Sequence, residues 1–101
     1  MKRKITSVGL IIAGSLLALA SIAFGSHGTK EQKCRAYAQS AVKDYESMIG
    51  TKKCRVHDSP RWQANYKNHY GWCMSVSDSA RIAESKARDA HLLHCGARST
   101  L

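Results

Sequence analysis

Residues 61–73, RWQANYKNHYGWC, decide how the rest of the chain is read. Trp62, Tyr66, His69 and Cys73 recur there at spacings of four, three and four, which places them on one face of a helix. Gln63, Lys67 and Asn68 fall on the other side. Ser59 and Pro60 stand just before the stretch, a capping residue followed by the one proline of the chain, which is favoured at the first helical position. The pattern predicts a helix from about residue 60 to residue 73. Its three rings and a sulfur must be buried against something, so Tyr37, Trp62, Tyr66 and His69 are the predicted structural core.

Both flanks offer partners. Upstream, Cys34, Tyr37, Ala38, Ala41, Val42, Tyr45, Met48 and Ile49 form an unbroken i, i+3, i+4 stripe, predicting a helix over 31–49. Gly50 is placed to end it in a left-handed turn. Residues 51–59 make a basic connector with Lys52, Lys53, Arg55 and His57. Downstream, Ser77, Asp78 or Ser79 can cap a third helix. Its narrow stripe is Ala80, Ala83, Ala87, Ala90 and His94, flanked by Leu93, and alanines let a neighbouring helix with large rings approach closely. Glu84 and Arg88 can pair one turn apart, a minor term. Gly96 ends this helix. No segment alternates as a strand, and neither repeats nor low-complexity tracts occur. The predicted fold is all-α, a small three-helix bundle.

The first residues read as targeting rather than fold. Lys2, Arg3 and Lys4 precede an apolar or small run over 5–24, and Ser21/Ala23 or Ala23/Gly25 suit a signal peptidase. An uncleaved membrane anchor is the competing reading, since about twenty apolar residues span a bilayer. The expected organisation is a signal peptide at 1–25, a flexible N-terminus at 26–33, a four-cysteine helical domain at 34–96 and a loose tail at 97–101. The protein is expected to be periplasmic or secreted. Removing Lys2, Arg3 and Lys4 lowers the formal charge from +9, but the domain stays strongly basic.

A domain this small seldom draws more than about 3–5 kcal/mol from its core alone. Cys34, Cys54, Cys73 and Cys95 all follow the signal, and an even count in a short exported chain reads as two disulfides. Along a helix, Cys34 and Ile49 stand about 22 Å apart. The five steps from Ile49 to Cys54 reach back at most about 17 Å, so a Cys34–Cys54 bond would break that helix. The same arithmetic opposes Cys73–Cys95. Cys34–Cys73 with Cys54–Cys95 suits an up-down-up bundle stapled at both ends; a nested Cys34–Cys95, Cys54–Cys73 arrangement stays open.

The pattern Cys34-x2-Tyr37-Ala38-x2-Ala41-Val42, then Cys54, Arg61-Trp62, His69-x2-Trp72-Cys73 and a final Cys95 resembles a small cysteine- and tryptophan-containing module of exported bacterial proteins. The resemblance covers nearly all of the chain after the signal. It implies export and a stapled helical fold, and it carries over no catalytic residue. Many members have glycine directly after the second cysteine, where this chain has Arg55.

Several chemistries can be weighed from residue types. His69-x3-Cys73 and His91-x3-Cys95 each place imidazole and sulfur one turn apart, a spacing that holds zinc or copper only if the thiols are free. There is no HExxH, GxSxG or phosphate-binding glycine loop, and His69 near Asp58 or Asp78 is the sole acid–base pairing on offer. The chain is therefore expected to be no enzyme and to need no cofactor. Trp72, Tyr70, Asn65, Gln63 and Arg61 flank the predicted inward stripe and suit sugar binding, where rings stack and polar groups orient. Lys52, Lys53, Arg55 and Arg61 are expected to gather at one end, with Arg98 near, and to attract an anionic polymer. Lys52, Lys53, Arg55, Arg61, Tyr70 and Trp72 are thus the candidate binding residues of an exported, non-enzymatic module for a cell-envelope glycan or other anionic polymer. The alternatives are an accessory or inhibitory protein docking on another exported protein, and a His/Cys metal binder. Nucleic acid is a poor fit outside the cytosol, and a membrane is a partner only if the N-terminal segment is retained.

Overall fold

The computed structural model describes residues 28–99, so the signal or anchor expected at 1–25 and the last two residues of the tail lie outside the described residues. Helix α1 spans Lys30–Gly50, α2 spans Tyr66–Ser75 and α3 spans Asp78–His94, with one 3₁₀ turn at Lys52–Cys54 and no strand among the described residues. α1 packs against both other helices, while α2 and α3 barely touch each other.

Disulfides join Cys34 to Cys73 and Cys54 to Cys95. The first ties the start of α1 to the end of α2, and the second ties the connector beyond α1 to the end of α3. Each closes a loop of about 40 residues and contributes on the order of 4 kcal/mol through the entropy it removes from the unfolded chain. Such bonds persist in oxidising compartments, which agrees with a location outside the cytosol. Among the described residues no helix is long and apolar enough to cross a membrane.

Helix ends depart from expectation in ways local chemistry explains. α1 begins within one residue of the predicted start, fixed by a capping box in which the Thr29 hydroxyl accepts from Gln32 N–H while Gln32 Oε1 accepts from Thr29 N–H. Residues 30–33, expected to be flexible, are therefore its first turn. Gly50 does not adopt a left-handed conformation; the chain leaves α1 through an extended Thr51 directly into the 3₁₀ turn. α2 begins at Tyr66 rather than near residue 60, capped by Asn65, whose side chain accepts from Asn68 N–H. Ser59 caps a turn instead of a helix: its Oγ accepts from Trp62 N–H, and its own N–H donates to the Trp62 carbonyl. α3 is capped by Ser77 and stops at Gly96, where φ is 89°. There Ala97 N–H reaches the Leu92 carbonyl and Gly96 N–H that of Leu93, a Schellman ending.

The apolar interior is split in two. Cys34, Tyr37, Ala41 and Cys73 form one cluster, with Tyr70 and Met74 against it. Met48, Cys54, Trp62 and Leu92 form the other, with Tyr45, Cys95 and Ala97 against it. Between them lies charge. Arg88 is fully buried, its Nε 3.1 Å from Asp44 Oδ2 and its Nη1 donating to Tyr37 Oη at 3.1 Å. Arg98 Nη2 donates to the other Asp44 oxygen at 2.7 Å, so one buried carboxylate holds two guanidinium groups. The Arg88 guanidinium also sits 4.8 Å from the Tyr37 ring centre, a cation–π contact.

This pair turns α3 away from the predicted face. Its inward residues are Arg88 and Leu92, with Ala80, Arg81, Glu84, Ser85, Ala87 and His91 half-buried, whereas Ala83, Ala90 and His94 of the predicted stripe and the flanking Leu93 are exposed. The Glu84–Arg88 contact is 3.9 Å and secondary to Asp44. Ile49 at the end of the α1 stripe is exposed, while Asp44 is buried. Tyr37, Trp62 and His69 are core as expected, but Tyr66 is not: as the first residue of α2 it lies on the surface, stacked on Tyr70. Residues 97 and 98 are pinned rather than loose, since Ala97 packs on the second cluster and Arg98 pairs with Asp44 and Asp89.

Candidate functional site

The turn at residues 59–62, Gln63 and the face of α2 that carries Asn68, His69 and Trp72 bound a cleft of about 730 Å³, with Tyr37 of α1 and Glu84 of α3 completing its wall. Trp72, Tyr37 and Trp62 contribute aromatic surface, and Arg61, Glu84, Gln63, Asn68 and His69 contribute polar groups. Because residues 61–65 are not helical, Trp62 can turn inward to the Met48–Leu92 cluster while its neighbours Arg61 and Gln63 stay at the rim.

Trp72 is the accessible ring. It immediately precedes the buried Cys73, and consecutive helical residues diverge by about 100°, so its side chain emerges at the margin of the buried face. It is 39% exposed, against 6% for Trp62. Tyr37 backs it, with ring centres 5.5 Å apart and planes tilted by 32°. Tyr37 is in turn held by Arg88, so the aromatic wall rests on the buried ion pair. Burial raises the Tyr37 phenol above its ordinary value, opposed by the Arg88 hydrogen bond.

The polar rim is ordered by its own hydrogen bonds. Arg61 grips Glu84 with two of its nitrogens, Nε to Oε2 at 2.6 Å and Nη2 to Oε1 at 3.1 Å. The Glu84 carboxylate raises the Arg61 pKa above its usual range. Asn68 Nδ2 donates to Gln63 Oε1 at 2.8 Å, Gln63 Nε2 donates to the Pro60 carbonyl at 2.9 Å, and His69 Nε2 donates to the Gln63 carbonyl at 2.9 Å. A bidentate charged pair and an amide pair thus stand fixed beside an open indole. Such a set can stack an apolar face and orient the hydroxyl or amide groups around it.

The expected binding residues do not form one site. Arg61 and Trp72 meet in the cleft, together with Gln63. Tyr70 is outside it, half-buried against the Cys34–Cys73 cluster. Lys52, Lys53 and Arg55 are exposed beyond the end of α1, on the order of 20 Å along that helix from Tyr37. Arg61 therefore does not join them, because Glu84 holds it at the cleft. Arg98 is likewise drawn to Asp44 and Asp89. The connector has a shallow depression of its own lined by Arg55, Val56 and His57. Glu84 and Asn68 went unmarked as cleft residues in the sequence; Glu84 is separated from Arg61 by 23 positions, and Asn68 meets Gln63 across a spacing that no continuous helix brings together.

The other chemistries fare differently. All four cysteines are in disulfides, so neither His69 nor His91 has a thiolate beside it. His91 Nε2 donates to the Cys54 carbonyl at 2.7 Å, and its ring packs on Trp62 with centres 5.0 Å apart. Among the described residues, no group of three or more His, Cys, Asp or Glu could hold a metal ion. Asp58 accepts from Tyr45 Oη and Asp78 pairs with Lys33, so neither carboxylate orients His69. Set beside known proteins, the chain matches no family model, no curated protein and no solved structure.

Proposed function

We propose that the protein is an exported, non-enzymatic carbohydrate-binding module that holds a cell-envelope glycan in the cleft beside Trp72. The observation that carries this reading is the exposed indole, backed by Tyr37, sharing one cleft with the Arg61–Glu84 and Gln63–Asn68 pairs. Sugars have apolar faces that stack on rings and equatorial hydroxyls that need fixed donors and acceptors, and this cleft offers both. Its volume falls within the roughly 300–1,000 Å³ of small-ligand sites. The basic connector is a second element of the same reading. Lys52 and Lys53 have no ion-pair partner among the described residues, so their charge is available to attract an acidic polymer at low salt. The signal-like start, the two disulfides and the resemblance to exported bacterial modules support a periplasmic or secreted location.

Co-sedimentation with purified envelope polysaccharide tests this. Trp72→Ala is expected to weaken retention about tenfold or more, as truncating a central aromatic anchor does, with a smaller loss of thermal stability from its lost packing on Tyr37, the protein remaining folded. Lys53→Glu is expected to reduce only the salt-sensitive part. Equal retention of wild type and Trp72→Ala would remove the cleft from consideration. Capture of one stoichiometric protein partner without polymer binding would replace this reading with that of an accessory protein.

A further inference from the structure

Four side chains on the outer face of α3 stand open to solvent: Ile82 at 46% and Leu93 at 38%, with Lys86 and Asp89 between them. Their spacings of four, three and four make a single stripe about 16 Å long, roughly a third of a turn round the helix from Arg88 and Leu92. Read in either direction the stripe begins and ends on a large apolar residue, with opposite charges at the two inner positions. It is therefore its own complement when reversed. If two copies of α3 lie antiparallel about an axis passing between residues 87 and 88, Ile82 of each copy meets Leu93 of the other. In the same register, Lys86 of each copy meets Asp89 of the other.

Neighbouring groups favour the pairing. Ala83 and Ala90 are exposed beside the stripe and permit close approach of two backbones. Lys86 has no ion-pair partner among the described residues, and Asp89 engages Arg98 through Oδ1 only. We infer that this face pairs with a second copy of the same chain, forming an isologous two-fold dimer through α3. The partner is specified by charge order: an unrelated apolar surface would bury Lys86 with no counter-charge and leave Asp89 with Arg98 alone, whereas a second copy sets Lys86 against Asp89 twice over. One helix-on-helix contact falls short of the roughly 1,200 Å² of standard interfaces, so the association is weak and appears at high protein concentration. Each dimer carries two clefts, and a polymer that spans both is held more tightly than by either alone. The dimer itself does not depend on what the cleft binds.

Sedimentation velocity of the oxidised full chain over a concentration series tests the inference. The wild type is expected to shift from monomer to dimer, and Lys86→Asp to raise the dimer dissociation constant about tenfold, since each exchange is counted twice across the two-fold axis. The double variant Lys86→Asp/Asp89→Lys restores charge order in the reversed sense and is expected to return within about threefold of wild type. Leu93→Lys is expected to weaken the dimer at least as much as Lys86→Asp. Thermal unfolding, followed alongside, separates loss of pairing from loss of fold. A monomer at every concentration overturns the inference, as does a dimer indifferent to Lys86→Asp, which would be held by some other surface. A double variant no better than the single one overturns it too.

Discussion

The two poles of the molecule carry the same kind of staple in different surroundings. At the Cys54–Cys95 pole, Met48, Cys54 and Leu92 are wholly enclosed and Trp62 closes over them. At the Cys34–Cys73 pole both half-cystines are buried, whereas Cys95 at the other pole is only half-buried; the neighbours here are Tyr37, Tyr70 and Met74, and Trp72 stands open beside them. The first is a closed core and the second a core with a rim. Placement of each tryptophan relative to its local backbone makes the difference. Trp62 leaves a non-helical turn and can aim straight inward, whereas Trp72 is fixed by helical geometry one residue from a buried half-cystine. A small stapled domain can thus keep one large ring partly out of its core without losing the core, and that ring stays accessible at the surface.

Removing each staple separately gives the largest test of this contrast. The loops closed span sequence separations of 39 and 41, so Cys34→Ala/Cys73→Ala and Cys54→Ala/Cys95→Ala lose nearly the same loop entropy, about 4 kcal/mol each. A difference between them in urea unfolding then reports packing: Cys34 and Cys73 are both buried whereas Cys95 is half-buried, so the Cys34–Cys73 pole is expected to suffer more. Equal losses would mean that the two poles are enclosed to the same degree. The layer between them comes next. Arg88→Met leaves Asp44 buried with only the half-exposed Arg98 beside it and is expected to destabilise by about 3 kcal/mol or more. Arg88→Met/Asp44→Leu removes both charges and is expected to recover much of that loss. Wild-type stability in Arg88→Met alone would show that the charged layer does not join the poles.

The all-α fold was legible because its signals are local or arithmetic. The stripe from Cys34 to Met48, the Ser77 cap, the Gly96 stop and the reach of the chain between cysteines each follow from a few adjacent residues or from helix rise. The start of α2 was not legible, since Ser59-Pro60 opens a turn as readily as a helix, and only the later Asn65 cap distinguishes them. The face of α3 was hidden for a different reason. Arg88 looks like a surface residue until Asp44, 44 positions earlier and on another helix, is known to oppose it. The cleft was half visible: Trp72, Gln63 and Arg61 have the right chemistry, but Glu84 joins them only through tertiary packing, which also separates Arg61 from the basic connector.

The smallest effect lies in the alkaline range, where Tyr37 joins the ring-rich pole to the charged layer. Burial raises its phenol above the usual value near 10, so the folded state keeps the proton longer than the unfolded chain does. The folded form therefore binds more protons in that range, and stability falls as pH rises. The contribution is complete below about pH 10, where both states are protonated, and is lost as pH climbs through the elevated folded value. Tyr45 adds a slope of the same sign, because its hydrogen bond to Asp58 also raises its pKa. Urea unfolding at several pH values above neutrality should thus show declining stability, accompanied in the folded protein by a late-ionising phenol in ultraviolet absorbance. Tyr37→Phe is expected to cost about 1 kcal/mol at neutral pH through the lost Arg88 hydrogen bond, yet to flatten the alkaline decline. Tyr45→Phe leaves the Tyr37 share in place, so a decline that vanishes in Tyr45→Phe and persists in Tyr37→Phe would assign the proton to the connector side and break the link between the aromatic wall and the buried arginine.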